Sequence, residues 1–458
     1  MSSIKFYSLL LALGLLGNAI NAQNIADSQQ VARITNEVLL NGAAYQNLEY
    51  LCKKIGHRLS GSAGEAKARN WAVQALKDAG ADTVWLQPVL VPKWTRGAES
   101  LQIKKGKEMI KVPMLSLGNS EGTKGKVLEA EIVCFETMEA LKNAPEASLK
   151  GKIAFLNYPF PAHFPCTFDG YSEVGGNRYN GPAIASKKGA VAFVIRSLST
   201  GVGSYDLPHT GVMSYGDATN KIPAIAIGNA AADSICKWGR QNKLKAALKT
   251  DCGMQGEVMS YNVIGEIKGT ADRYITVGGH YDSWDVGEGA HDDGAGCVQS
   301  IEVIRSFKQL KIQPKNTIRA VLFANEENGA KGGRAYADSA VAKKEVHVLA
   351  VESDAGGFSP RGFSLEMNAE EMQLVNSWKK VLLPLGLYDF DREGGGVDID
   401  PMRKKLNTPL AGLIPDTQRY FDVHHCEKDV FEAVNKRELH LGAASMAAFI
   451  YLADKYFK

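Results

Sequence analysis

Five short stretches in the second half of the chain concentrate imidazoles and carboxylates. They are Gly278-Gly279-His280-Tyr281-Asp282-Ser283, His291-Asp292-Asp293-Gly294, Asn325-Glu326-Glu327-Asn328-Gly329, Glu352-Ser353-Asp354-Ala355-Gly356-Gly357 and His424-His425-Cys426-Glu427-Lys428-Asp429. Each alone has an ordinary explanation. A histidine ending a strand is usually just hydrogen-bonded, Asp-Asp-Gly before a helix is a cap and turn signal, and Glu-Glu is usually a solvated face. All five, however, fall after strand-like segments or close to them. An α/β sheet gathers its ligands beyond the carboxyl ends of its strands, so the five can meet at one edge, and together they read as a metal site.

The donor types narrow the metal. Imidazole and carboxylate without thiolate suit zinc or a similar divalent first-row ion, whereas all-oxygen sets suit magnesium or calcium. Two histidines and three acids exceed the four donors that one tetrahedral zinc accepts. Two ions about 3.5–4 Å apart that share one carboxylate, with a hydroxide between them, fit the set better.

The series His280, Asp292 twelve residues on, Glu326-Glu327, Asp354, and His425 four residues before Asp429 resembles the di-zinc exopeptidase family of aminopeptidases and glutamate carboxypeptidases. Three further stretches support the resemblance: Gly56-His57-Arg58-Leu59-Ser60-Gly61-Ser62, Pro208-His209-Thr210-Gly211-Val212-Met213-Ser214-Tyr215 and Gly394-Gly395-Gly396-Val397-Asp398-Ile399-Asp400-Pro401. It implies two Zn2+ per chain, with His280 and Asp354 on one ion, Glu327 and His425 on the other, and Asp292 bridging both. It also implies Glu326 as general base, a cis peptide from Asp292 to Asp293, and a protease-associated domain inserted in the catalytic domain. Relatives of this kind can dimerise, so a homodimer is an implied partner beside the peptide substrate. Adjacent His424 competes with His425 for the ligand role, and the spacing to Asp429 favours His425. Cys426 and Val430 stand where the family usually has Ser or Thr and Thr, a departure that touches hydrogen bonding around the ligands but not the ligands themselves.

The roles that follow are those of a peptide hydrolase. Glu326 and Glu327 are adjacent, and on an extended backbone successive side chains point opposite ways, so one can ligate while the other stays free to move a proton. Asp282, two residues after His280, is a candidate carboxylate for orienting the imidazole, and Asp293 stands beside the bridging Asp292. The expected function is an exported metallo-exopeptidase acting on dipeptides or short peptides. The competing readings are an aminopeptidase of broader length range, a non-catalytic receptor-like protein of the same fold, and a single-zinc glutaminyl cyclase.

The elements that must position these groups are legible as a pattern. Strands near 275–277, 318–324, 346–351 and 409–414 alternate with helices over 294–310, 330–340, 370–385 and 440–456, which predicts a mostly parallel mixed sheet with helices on both faces. Before it, 63–78 carries the stripe Ala68, Trp71, Ala72, Ala75, Leu76 of an amphipathic helix. Between 117 and 252 the texture changes to short strand candidates punctuated by Gly, Asn and Pro, with helices over 181–188 and 230–245. This divides the chain into 23–116, an inserted β-rich domain over 117–252, and 253–458 with the metal site.

The remaining arithmetic excludes other classes. At 458 residues, 45% hydrophobic and 22% charged, the chain is globular and multi-domain. Its net charge of +3 is scattered, which argues against nucleic acid as a partner. The first 22 residues, with Lys5 ahead of an apolar run of about 11, read as a secretory signal peptide, too short for the roughly 20 residues of a membrane span. The expected location is therefore extracellular or periplasmic. Seven cysteines at 52, 134, 166, 236, 252, 297 and 426 form no Cys-x-x-Cys pair; their odd number leaves at least one without an intrachain partner.

Overall fold

A computed structural model describes residues 25–457. The segment read as a signal peptide lies outside the described residues. Among them, no helix is long and apolar enough to cross a membrane.

A seven-stranded sheet runs in the order Thr83–Thr95, Gly253–Ile267, Asn316–Phe323, Ala271–His280, His347–Glu352, Leu410–Pro415, Pro360–Glu366. The four strands from Asn316–Phe323 to Leu410–Pro415 are mutually parallel, and the outer three pair antiparallel. The sheet is thus evenly mixed, not mostly parallel. The difference comes from two strands with weak signatures: Gly253–Ile267 opens Gly-Met-Gln-Gly-Glu, and Pro360–Glu366 begins with Pro and carries Arg, Gly and Ser.

Helices cover both faces because the central strands are buried on both, successive side chains entering opposite cores. Ile275, Val277, Ile318, Ala320 and Leu322 face one core with helices Ala63–Asp78, Ala295–Gln309 and Lys436–Tyr456. Val321, Phe323 and Ala350 face another with Tyr336, Ala337 and Met402, from helices Lys331–Lys343 and Asp400–Leu406. Helix Ala63–Asp78 starts where Ser62 accepts the Glu65 N–H, and its predicted stripe is buried throughout. The predicted 370–385 helix is instead two short helices and a 3-10 turn, broken at Trp378 and Pro384.

Residues 99–250 build a second, eight-stranded sheet with its own cores and the helices Thr167–Lys187 and Asn229–Gln241. Its first strand, Glu99–Lys105, precedes the change of texture at 117. Thr167–Lys187 is far longer than the helix expected over 181–188, despite Gly175-Gly176 and Pro182 inside it. Packing overrides propensity there: Val174, Arg178, Gly181, Pro182 and Ala185 are buried, and a Cβ on Gly181 would lie 2.4 Å from the Phe193 ring. A disulfide joins Cys134 to Cys236, and the other five cysteines are unbridged and buried.

One polar cluster fixes the outer strands of the first sheet. Arg319, 5% exposed, bonds Glu345 at 2.9 Å and pairs with Glu266 at 3.2 Å, and its guanidinium lies over the Tyr274 and Trp85 rings. Burial opposes ionisation of Glu345, but the bond from His347 and the Arg319 charge win and lower its carboxyl to about 2 from an ordinary 4.5. A carboxyl lowered in the folded state stabilises the fold above its unfolded value, and that contribution disappears as pH falls from about 4.5 toward 2. Arg319→Met leaves Glu345 and Glu266 without their cation, so we expect a loss of about 3–5 kcal/mol at neutral pH in denaturant unfolding. The deficit should shrink at acid pH, and equal deficits at pH 7 and pH 3 would contradict this account.

Candidate metal centre

The metal-type residues converge at the carboxyl edge of the parallel strands. His280 ends Ala271–His280, Glu326 and Glu327 follow Asn316–Phe323, Asp354 follows His347–Glu352, and His424-His425 follows the short helix Tyr420–Val423. Asp292 and Asp293 lie in the loop feeding helix Ala295–Gln309, and the bond between them is cis.

Two groups of donors share Asp292: His280 with Asp354, and His424 with His425, with Glu327 beside His425. His280 Nε2 lies 3.2 Å from Asp292 Oδ1 and 3.3 Å from Asp354 Oδ1. His425 Nε2 lies 3.2 Å from Asp292 Oδ2 and 3.2 Å from Glu327 Oε2. Around an ion with ligands at 2.0–2.1 Å, tetrahedral donor separations are about 3.3 Å, so these spacings suit zinc. His280 Nε2 is buried and has no hydrogen-bond partner, an orphan that a cation would satisfy.

The electrostatics point the same way. Burial first, then the charges of Asp354 and Asp292 against the pull of His280, raise the Glu326 carboxyl to about 8. Glu327 and Asp293 are likewise held well above the carboxylate range, first by burial and then by neighbouring acids. Acids this dense ionise together only when cations lie among them.

The surroundings aim each donor. The His280 ring is oriented by the Asp282 backbone carbonyl, 3.1 Å from Nδ1, and not chiefly by the Asp282 carboxylate, whose nearer oxygen is 3.7 Å away. That carboxylate accepts instead from the Glu326 N–H at 3.0 Å and from Ser60 at 3.2 Å. Asp293 accepts from the His280 and Gly296 N–H groups. Asp429 accepts from the N–H groups of His291 and Asp292 at 2.7 and 3.1 Å, a bracing role that its spacing to His425 only hinted at. Arg58, fully buried, donates to the carbonyls of Tyr281, Glu288 and Gly289, so the Gly56–Ser62 stretch ties down the loop leading to Asp292.

Glu326 and Glu327 diverge for a reason other than the expected extended backbone. Asn325, at φ 65°, turns the chain into the short helix Glu326–Gly329, on which consecutive side chains diverge by about 100°. Glu327 Oε1 accepts the Trp284 N–H at 3.1 Å while its other oxygen faces His425; Glu326 Oε2 stands 3.9 Å from His280 Nε2, bonded to neither histidine. Both adjacent histidines lie among the donors around Asp292, and His425 Nε2 is the nearer of the two. Thr210 holds its Nδ1 by a carbonyl at 3.2 Å, and its φ of 60° is left-handed, a strain of roughly 1–3 kcal/mol for a non-glycine residue. His424 Nε2 is further from Asp292, at 3.8 Å, and its ring stacks on His425. Cys426 takes the place of the usual hydroxyl by donating to Val423 O and accepting from the Lys428 N–H.

A cavity of about 680 Å³ opens onto this centre, and Phe168, Tyr171, Arg178 and Val212 of the second sheet's unit form part of its wall. Sequence reasoning missed Tyr171 and Arg178, which lie on the unrecognised helix and match no motif; Thr210 lies in a stretch the resemblance had singled out.

Residues 262–450 match the model of Peptidase family M28. Over 440 residues the chain is 31% identical to carboxypeptidase Q of Bos taurus and 32% identical to that of Homo sapiens, in each case over 94% of this chain and 90% of the relative. A solved peptidase M28 precursor from Shewanella amazonensis superposes with a TM-score of 0.89 at 34% identity, covering 94% of this chain and 97% of that one. A zinc aminopeptidase from Bacillus subtilis shares the fold, with a TM-score of 0.65 at 21% identity over 90% of this chain and 94% of its own. On sequence, fold and site together, the chain belongs to peptidase family M28 and is a metallopeptidase.

Proposed function

We propose that the protein is an exported exopeptidase for dipeptides or short peptides, with two zinc ions held by His280 and Asp354 and by Glu327 and His425, and with Asp292 shared. The observation that carries this reading is the pair of donor groups meeting at Asp292, one around His280 and one around His425, with Glu326 beside them. Two bound zinc ions would supply polarisation of the scissile carbonyl and acidification of the attacking water. Glu326 takes the proton of that water and delivers it to the leaving amine. Asp282 serves twice, its carbonyl orienting His280 and its carboxylate fixing the backbone of Glu326. Residues 99–250 act as a protease-associated insertion that narrows access from one side. Export is supported by the Cys134–Cys236 disulfide, a bond at home in oxidising compartments.

Purified full-length protein is expected to contain about two zinc per chain, the count a shared carboxylate implies, and to hydrolyse dipeptides in a chelator-sensitive manner. The absence of chelator-sensitive hydrolysis across a dipeptide library would sink the proposal. Pyroglutamate formation in place of hydrolysis would replace it with cyclisation.

A further inference from the structure

Three histidines approach Asp292, and two of them are oriented by the same device. Nδ1 of His280 meets the Asp282 carbonyl at 3.1 Å, and Nδ1 of His425 meets the Thr210 carbonyl at 3.2 Å. A carbonyl in that place takes the ring proton and leaves the lone pair on Nε2, facing a cation. His424 has no such carbonyl. Among the described residues neither of its ring nitrogens forms a hydrogen bond, and its Nε2 stops 3.8 Å from Asp292 Oδ2. Nothing in the fold holds its proton on Nδ1, so Nε2 is free to carry it.

Rings alone hold His424 in place. It is 5% exposed, stacks on His425 with centroids 3.5 Å apart, and meets Tyr171 and Phe421 edge-on at 5.3 and 5.1 Å. Burial among rings favours the uncharged imidazole, and the stacking turns both Nε2 atoms toward one oxygen of Asp292. Asp292, Glu326 and His424 all line the large cavity. His424 therefore presents a fixed, unused N–H beside the carboxylates, on the side away from His280. We infer that His424 is a further catalytic residue, whose Nε2–H donates to the oxygen of the scissile carbonyl in the transition state. The inference rests on the proposed peptidase function. As water adds to the carbonyl carbon, its proton passes to Glu326 and the carbonyl π pair moves onto oxygen, where the His424 N–H meets the new charge. When the C–N bond breaks, the carbonyl re-forms, and the nitrogen leaves with the bond pair and the proton from Glu326. His424 keeps its own proton throughout. A donor fixed in advance and aimed at charge that develops only in the transition state raises kcat more than it lowers KM.

The test uses the zinc-loaded full chain, a dipeptide, and a phosphinic analogue of that dipeptide whose tetrahedral P–O group stands in for the oxyanion. His424→Phe keeps the ring packing and removes the N–H. Its kcat is expected to fall by on the order of 10²–10³-fold, the loss of one oxyanion donor, with zinc content and KM unchanged and affinity for the phosphinic analogue falling by the same factor. His424→Gln, whose amide nitrogen reaches the place of Nε2, should recover part of both. His424→Asn, whose shorter amide corresponds to Nδ1, should recover neither. Wild-type kcat in His424→Phe overturns the inference. So do equal activities of the Gln and Asn variants, analogue affinity that does not follow kcat, or loss of zinc from all three variants, which would place His424 among the ligands. Each of these leaves the peptidase reading standing. The comparison of Gln with Asn decides even if the Phe variant does not fold. Absence of chelator-sensitive hydrolysis by the wild type removes the reading itself, and the inference with it.

Discussion

Glu326→Gln is expected to lower kcat on dipeptides by on the order of 10²–10⁴-fold, the range of a general base in a positioned site, while leaving zinc content and KM near the wild-type values. The separation follows from geometry. Glu326 Oε2 stands 3.9 Å from His280 Nε2 and belongs to neither donor group, so an amide there removes the proton acceptor without removing a ligand. The backbone bond from Glu326 N–H to Asp282 is unaffected by the change of side chain, and Asp282 keeps its hold on His280. Glutamine also relieves part of the crowding among the buried acids, so the variant should be no less stable than wild type in the metal-free state. Full activity in the variant would remove Glu326 from the mechanism. Parallel loss of zinc would move it into the ligand set.

What could be read from the sequence divides along a physical line. His280, Asp292, Glu327, Asp354 and His425, the ligands proposed above, stand out because a metal would demand particular side-chain chemistry, and side-chain types are what a sequence records. The parallel centre of the sheet is visible for a similar reason, since runs such as Ile318 to Ala324 alternating with amphipathic helices leave a strong periodic trace. Backbone contributions leave no such trace. Asp282 was expected to orient His280 by its carboxylate and does so by its carbonyl, and the group holding His425 is the carbonyl of Thr210, which any residue supplies. The outer strands and the helix Thr167–Lys187 were hidden where propensity disagrees with packing: Gly253–Ile267 opens with poor strand formers, and Thr167–Lys187 contains two adjacent glycines and a proline. Because Tyr171 and Arg178 ride on that helix, one missed element concealed part of the cavity wall.

Asp292→Asn tests whether the two donor groups are one centre. Asp292 is the carboxylate within 3.2 Å of both His280 Nε2 and His425 Nε2, one oxygen toward each, whereas Asp354 faces only His280 and Glu327 only His425 among the two histidines. Asparagine keeps the shape but offers one neutral oxygen and an NH2 group that cannot ligate alongside it. Zinc content is therefore expected to fall to one per chain or below in Asp292→Asn, and to about one, not below, in Asp354→Asn. Metal ions contribute several kcal/mol of transition-state stabilisation, and 1.36 kcal/mol is tenfold in rate, so activity should drop by on the order of 10³-fold. Stability separates this from simple unfolding. Zinc that binds only the folded state raises the wild-type melting temperature by mass action, and that rise should shrink or vanish in Asp292→Asn. With chelator present, the order reverses: the variant has one acid fewer among Glu326, Glu327, Asp293 and Asp354, and should melt no lower than metal-free wild type. A variant that retains two zinc ions and full activity would mean that the ions are held independently, and a variant less stable than wild type in chelator would mean that Asp292 supports the fold and not only the metals.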